Sequence, residues 1–334
     1  MDFFFANVMG QPAWSWLLFL GIVTLLLAFD LGVLHRKSHA IGIAESLWLS
    51  AFYIGAGLLF GLWVWQSLGD RAALLYLTGF VVEKSLAMDN LFVIAMIFSY
   101  FAVPRAYQHK VLVYGIVGVV ILRGLVIAAG AAIVERFEWV LIAFAVFLVI
   151  TGIKMLRGGD TEYDVSANPV LRFMQRRCRV TDGLHGNRFF ARLPVGESGH
   201  TALYATPLFL ALVMIELADV IFAVDSIPAI FAITTDPYIV YTSNIFAVLG
   251  LRALYFALAA MMHRFVYLDK AVSLVLVFIG GKVIAAEVLG LEKIPPAISL
   301  GVTALLLGGG VVLSLMKTRQ ACQEDTEAAR VRSE

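Results

Sequence analysis

The chain has 334 residues, 61% hydrophobic and 15% charged, with a formal net charge of +1. A water-soluble domain carries about 25% charged residues, so this composition, with a mean hydropathy of +0.88, excludes a soluble globular enzyme and puts the chain in the membrane class. The near-zero charge balance by itself points to no class of partner.

A membrane-spanning helix needs roughly 20 mostly apolar residues. Nine stretches qualify, at 14–34, 44–65, 72–100, 111–133, 138–156, 204–233, 241–261, 271–289 and 296–316. The first is long and follows no basic segment, so it reads as an uncleaved helix and not a signal peptide. Asp30 lies near its end, where it either caps the helix or lines an exit. The stretches give a membrane half at 1–156, a polar loop at 157–203 expected to be amphipathic or partly ordered, and a second membrane half at 204–316. A charged tail at 317–334 is expected to be frayed or disordered. The fold class is therefore all-α, with about nine transmembrane helices.

Basic residues set the orientation. Alternate connectors, starting after the first helix, hold 17 Lys and Arg, and the opposite connectors hold 3. Seven arginines in 157–203 contribute much of that excess, yet the short connectors alone still give 6 to 3. The N-terminus is expected outside and the C-terminus in the cytoplasm. Arg176, Arg177 and Arg179 then form a cytoplasmic surface suited to anionic lipid, with nothing to suggest nucleic acid. Cys178 and Cys322 are isolated, form no metal or redox motif, and fall on the reducing side.

Charged residues also sit inside the apolar runs, where each costs about 2.5–3.5 kcal/mol at a helix centre. The basic ones are Lys84, Arg123, Lys154, Arg252 and Lys282; the acidic ones include Asp30, Glu83, Asp89, Glu216, Asp219 and Asp225. They must face one another or water. Lys154 lies near a helix end, from which it can snorkel.

Their order repeats. The third stretch reads Glu83-Lys84-Ser85-Leu86-Ala87-Met88-Asp89-Asn90, and the sixth Asp219-Val220-Ile221-Phe222-Ala223-Val224-Asp225-Ser226. Each is an acid, five residues, an Asp, then a small polar side chain. The next stretch in each set carries an arginine, Arg123 or Arg252, and the one after a lysine, Lys154 or Lys282. Two three-helix repeats are expected, at about 72–156 and 204–289, inserted with opposite orientation. Inverted repeats are a recurring plan of secondary transporters, with the site near the midplane where they meet. The plainer alternative is a helical bundle whose ion pairs only specify packing.

On a straight helix Glu83 and Asn90 share a face, whereas Asp89 points about 120° away; the same holds for Asp219, Ser226 and Asp225. The paired acids therefore face different partners, or the helix is locally unwound. Pro228 favours unwinding in the sixth stretch, because it deprives the Val224 carbonyl of its usual donor. Glu216 and Asp219 are three apart and share a face. No histidine or cysteine lies in a span, so the candidate ligands are carboxylate, amide, hydroxyl and backbone carbonyl. Such hard oxygen ligands suit Mg²⁺, Ca²⁺ or Mn²⁺. Met88 and Met214 are near the acids but read first as packing residues. Lys84, Arg123, Arg252 and Lys282 read as charge partners of the acids.

The segment EKSLAMDN at 83–90 with Leu91-Phe92-Val93, the segment ELADVIFAVDSIP at 216–228, and the run TTDPYIVYTSNIFAVLGLRALYF at 234–256 together resemble the TerC family of membrane proteins, most nearly its Alx-like branch. The likeness covers about 20–316. It implies a multi-pass protein of the bacterial inner membrane, linked to tellurium resistance by name and to manganese export by activity. Carried over, the family's acidic positions fall on Glu83, Asp89, Glu216, Asp219 and Asp225, with Asn90 and Ser226 beside them.

The expected function is export of a divalent metal ion, first of all Mn²⁺, by alternating access at the buried carboxylates, with Mn²⁺ as substrate and no permanently bound cofactor. Its partners are then the ion and the lipid bilayer, with a homo-oligomer or membrane partner open. A second expectation is a membrane scaffold or accessory factor in tellurite resistance or envelope stress, recruiting partners through 157–203. An enzyme is not expected: the spans hold no Ser/Lys or HExxH arrangement with coherent spacing.

Overall fold

A computed structural model describes residues 6–33, 43–137, 139–157, 165, 168–194, 201–258, 267–288, 290 and 294–331. The side chains of residues 30–33, 43, 88, 89, 92, 225, 252, 257, 258, 269, 315 and 318–331 lie outside that description. The main helices are α1 (Ala13–Val33), α2 (Ile43–Leu68), α3 (Asp70–Tyr100), α4 (Arg105–Arg136) and α5 (Trp139–Leu156). A short α6 (Pro169–Arg177) precedes α7 (Pro207–Phe231), α8 (Pro237–Leu249), α9 (Leu251–Leu258), α10 (Leu268–Glu287) and α11 (Pro296–Val331). Each of the nine apolar stretches coincides with one of these helices, α8 and α9 sharing one stretch. Six spans among the described residues are long and apolar enough to cross a membrane by themselves.

The surface confirms the solvent. Trp48, Leu305 and Leu25 are 79%, 72% and 70% exposed, while Arg123 is 1% exposed. A soluble protein reverses that order; a lipid-facing bundle requires it. Trp14, Trp16, Trp63, Trp65 and Trp139 gather at one end, where α1 and α5 begin and α2 ends, and Trp14 meets Trp63 edge-on at 6.1 Å. Tryptophan concentrates at membrane–water interfaces, so this end marks one boundary of the bilayer.

Local chemistry sets the helix ends. Gly69, at φ +88°, turns α2 sharply into α3. Asp236 caps α8, its side chain accepting from the N–H groups of Tyr238 and Ile239 at 2.9 and 3.3 Å, with Pro237 in the first turn. The expected unwinding at Pro228 does not occur. Helix α7 runs through it to Phe231, and the Pro228 carbonyl accepts from Ala232 N–H at 2.9 Å. The proline stands in the last turn, so its missing donor costs one bond and no helix remains to be kinked. The interruption falls instead at Gly250, between α8 and α9.

Two further expectations need correction. The tail beyond 316 is helical, continuing α11 to Val331. The span expected from 204 begins at Pro207, because Thr201–Ala205 is strand β4, paired antiparallel with β3 (Phe190–Pro194). Within the 157–203 segment the described residues include α6 and most of that hairpin. The segment is tied to the bundle by Lys110, which donates to the Asn187 carbonyl at 2.6 Å and lies over the Phe189 ring. A second, very small hairpin, β1 (Asn7–Val8) with β2 (Gln11–Pro12), precedes α1.

The helices pack in crosswise pairs. Helix α3 lies along α8, α4 along α7, and α5 along α10. Helix α3 is antiparallel to α7: Gly79 faces Ile230, and further along Asn90 shares a cavity wall with Asp219. Helix α5 is antiparallel to α10 and touches it backbone to backbone. A Cβ on Gly152 would lie 2.7 Å from the Ser273 carbonyl and 2.8 Å from Val277; one on Gly280 would lie 2.6 Å from the Ala145 carbonyl and 2.9 Å from Val149. Small residues at such crossings let helices approach closely in lipid, where no hydrophobic drive holds them together.

Candidate functional site

Four helices bring their polar side chains to one point inside the bundle. Arg123 of α4 donates from Nε and Nη2 to the two carboxylate oxygens of Asp219 on α7, at 3.0 and 2.8 Å. Its Nη1 donates to Asn244 Oδ1 on α8 at 2.9 Å and also to Glu83 Oε1 on α3. Glu83, Asp219 and Asn244 are 1%, 6% and 0% exposed. The planar, five-donor fork of arginine can serve two carboxylates and an amide at once. The third and sixth apolar stretches thus supply one acid each, and the fourth supplies the cation between them.

The network leaves capacity unused. Glu83 Oε2, Ser226 Oγ and Asn244 Nδ2 are buried with no hydrogen-bond partner among the described residues. Glu83 and Ser226 face each other across α3 and α7 without forming a well-made bond. Buried polar atoms are ordinarily satisfied, so three such atoms around one ion network are a concentrated exception. Two are oxygens with free lone pairs, the ligand type hard cations take.

Beside the network lies a cavity of about 40 Å³, lined by Asn90, Asp219, Gly115 and apolar side chains including Leu91, Ile94 and Leu112. A water needs about 10–15 Å³ on this measure, so it has room for a few water-sized species. It lies on the side of Arg123 facing the loop-bearing end. Leu112, Leu208, Ala211, Phe98 and Tyr255 belong to the buried apolar cluster at that end; the rings of Phe98 and Tyr255 meet at 5.7 Å.

Glu216 stands apart from Arg123. Its carboxylate lies against the backbone of Gly118 on α4, so close that a methyl group there would overlap it, and its Oε2 has no hydrogen-bond partner among the described residues. Glu216 and Asp219 share a helix face as expected, but only Asp219 reaches the arginine.

The expected charge partners separate. Arg123 joins the acids. Lys84 turns away and donates to the Ala247 carbonyl at 2.9 Å. That carbonyl is freed by the interruption at Gly250, where a side chain would meet Tyr53 at 2.8 Å and Lys84 Nζ at 3.1 Å. Lys282 lies in a different cavity, at the tryptophan-rich end, with its Nζ 3.5 Å from Ser299 Oγ. Lys154 is exposed. Asp30, Asp89, Asp225 and Arg252 are on α1, α3, α7 and α9, but their side chains, like that of Met88, lie outside the described residues. Met214 is fully buried core. Among the described residues no three His, Cys, Asp or Glu side chains are grouped to hold a metal ion.

The sequence reading did not single out Asn244 or Gly118. Asn244 had a usable signal, an amide inside an apolar run, which is costly in lipid unless it is paired. Gly118 had none, because one glycine among several in α4 carries no mark of what it faces.

The TerC integral membrane protein family matches residues 68–321. A relative from Myxococcus xanthus, the uncharacterized membrane protein STKORF319, is 43% identical over 322 residues, covering 96% of this chain and 98% of the relative. A protein of Escherichia coli O6:H1 named "Putative membrane-bound redox modulator Alx" is 44% identical over 305 residues, covering 89% of this chain and 92% of that one. An uncharacterized membrane protein of Rickettsia bellii is 41% identical, with 91% and 97% covered. No solved structure matches the chain. Family match and full-length relatives agree: the chain belongs to the TerC family of integral membrane proteins.

Proposed function

We propose that this protein exports a divalent metal ion, Mn²⁺ first, across the bacterial inner membrane by alternating access at the buried carboxylates. The observation that carries this reading is the meeting of Glu83 and Asp219, one from each half of the chain, on a single buried arginine. Two acids against one guanidinium leave a net negative site, and buried charge of that kind marks ion pathways in membrane proteins.

Arg123 has the role of an internal stand-in. In the ion-free state its guanidinium neutralises Glu83 and Asp219. An arriving cation competes for the same oxygens, helped by Asp89 and Asp225 on the same helices and by the unsatisfied Glu83 Oε2 and Ser226 Oγ. Asn90 and Asp219 on the wall of the small cavity give the ion its approach from the loop-bearing, arginine-rich end, which is the cytoplasmic end on the positive-inside rule. Glu216, unpaired one turn before Asp219, is the next oxygen ligand along that approach. Proton and sodium coupling are both compatible with this arrangement.

The crosswise packing supports two inverted three-helix repeats, α3–α4–α5 and α7–α8/α9–α10. Exchanging the two units turns α3 on α8 into α7 on α4 and leaves α5 on α10 unchanged. The glycine contacts follow the same exchange: Gly152 with Gly280, Ala145 with Ser273 and Val149 with Val277 are each 128 positions apart. Rocking of such units about a shared site is the usual form of alternating access.

The test is Mn²⁺ accumulation by everted membrane vesicles carrying wild type, Asp89→Asn or Asp225→Asn at matched expression. Wild-type accumulation lost in both variants supports the site. Equal accumulation in all three, or none above empty vesicles, refutes it for manganese. A second reading, a membrane scaffold, draws on the folded segment of α6 and the β3–β4 hairpin. Deleting residues 160–200 discriminates: retained transport with a lost cellular phenotype favours the scaffold.

A further inference from the structure

A second, larger cavity of about 570 Å³ opens at the tryptophan-rich end, where α3 and α11 begin and α7 and α10 end. Its polar lining is Arg71, Lys282, Thr78, Thr234, Thr235 and Ser299, with Glu287 as its one acid among the described lining residues. Arg71 lies in the first turn of α3 and is exposed; Lys282 is half-buried, with the Ser299 hydroxyl 3.5 Å from its Nζ. Helix α11 starts at this cavity, so the positive end of its dipole adds to the two cations. A vestibule for a divalent cation would not be lined this way, since two fixed positive charges repel it. The chamber has the opposite preference from the Glu83–Asp219 site and is independent of it.

Three features narrow the ligand. Arginine, lysine and several hydroxyls in one lining are the donor set that phosphate oxygens take. Leu141, Phe231 and Val283 add apolar surface to the same lining, where an acyl chain or glycerol can lie. The cavity sits at the level of the tryptophan belt, which is the depth of lipid headgroups. We propose that this cavity binds a phosphate group, held between Arg71 and Lys282 and supplied by a phospholipid headgroup or by free phosphate.

The experiment uses the full chain purified in a neutral detergent, with binding followed by calorimetric titration. Three probes are compared: dioctanoyl phosphatidylglycerol, dioctanoyl glycerol without the phosphate, and inorganic phosphate. Variants are Arg71→Gln, Lys282→Gln and Lys282→Arg, with Lys154→Gln as a control for losing a lysine outside the cavity. Phosphate recognition predicts that a phosphate-bearing probe binds wild type and the control equally. It binds Arg71→Gln and Lys282→Gln about tenfold more weakly, the scale of one charge-assisted hydrogen bond, and Lys282→Arg restores it. Binding of the phospholipid but not inorganic phosphate assigns the source to lipid; comparable binding of both assigns it to the free anion. Equal affinity for the lipid with and without phosphate, no binding of either phosphate probe to wild type, or equal binding to wild type and both glutamine variants overturns the proposal. Elution as a monodisperse peak, with the Arg rescue, separates lost binding from lost folding.

Discussion

Arg123→Met keeps a long side chain but removes every hydrogen bond of the guanidinium: two to Asp219, one to Asn244 and one to Glu83. Glu83 and Asp219 then stay 1% and 6% exposed without their shared cation. Removing one partner of a buried ion pair costs about 3–5 kcal/mol, chiefly because a charge is left uncompensated. Here one removal strands two carboxylates, so the upper end, about 5 kcal/mol, is expected. Reversible unfolding in mixed micelles with a rising fraction of denaturing detergent measures it. The triple variant Arg123→Met, Glu83→Gln, Asp219→Asn removes the stranded charge while keeping shape, and recovers more than half of the loss. Unfolding of Arg123→Met within about 1 kcal/mol of wild type, the range of an exposed pair, would refute the reasoning. So would a triple variant no more stable than the single one.

Two further outcomes follow from close backbone contacts. Gly118→Ala puts a methyl group where the Glu216 carboxylate lies; the flexible end of that side chain swings aside and the helix propensity of alanine offsets about 1 kcal/mol, so stability stays within about 1 kcal/mol of wild type in the same unfolding assay, and a larger loss that Glu216→Ala recovers would show that the carboxylate cannot move. Gly280→Leu drives a side chain into the Ala145 backbone 2.6 Å away and separates α5 from α10, whereas the Cβ of Gly281→Leu meets nothing within 4 Å. The first is expected to lose the folded, monodisperse protein on size-exclusion chromatography and the second to keep it; equal behaviour would mean that the helices do not cross there.

The sequence alone determined the membrane class and a chain built mostly of helices, and it marked charges that must turn inward, Glu83, Asp219 and Arg123 among them, for one reason: lipid penalises each unpaired polar group so heavily that composition along the chain carries the answer. Glu83, Asp219 and Arg123 were legible on that ground, and the order of acid, arginine and lysine motivates the proposed repeat. Pairing was not legible. Lys84 and Lys282 look like Arg123 in sequence, yet Lys84 is spent on a carbonyl freed at Gly250 and Lys282 on a separate cavity. Glu216 and Asp219 share a face, yet one lies on Gly118 and the other on Arg123. Which cation meets which acid depends on how α3, α4, α7 and α8 cross, and those crossings are set by small residues and interlocking side chains from segments 40 to 121 positions apart. Helical periodicity fixes the face on which a side chain stands; only the tertiary structure decides what stands opposite it.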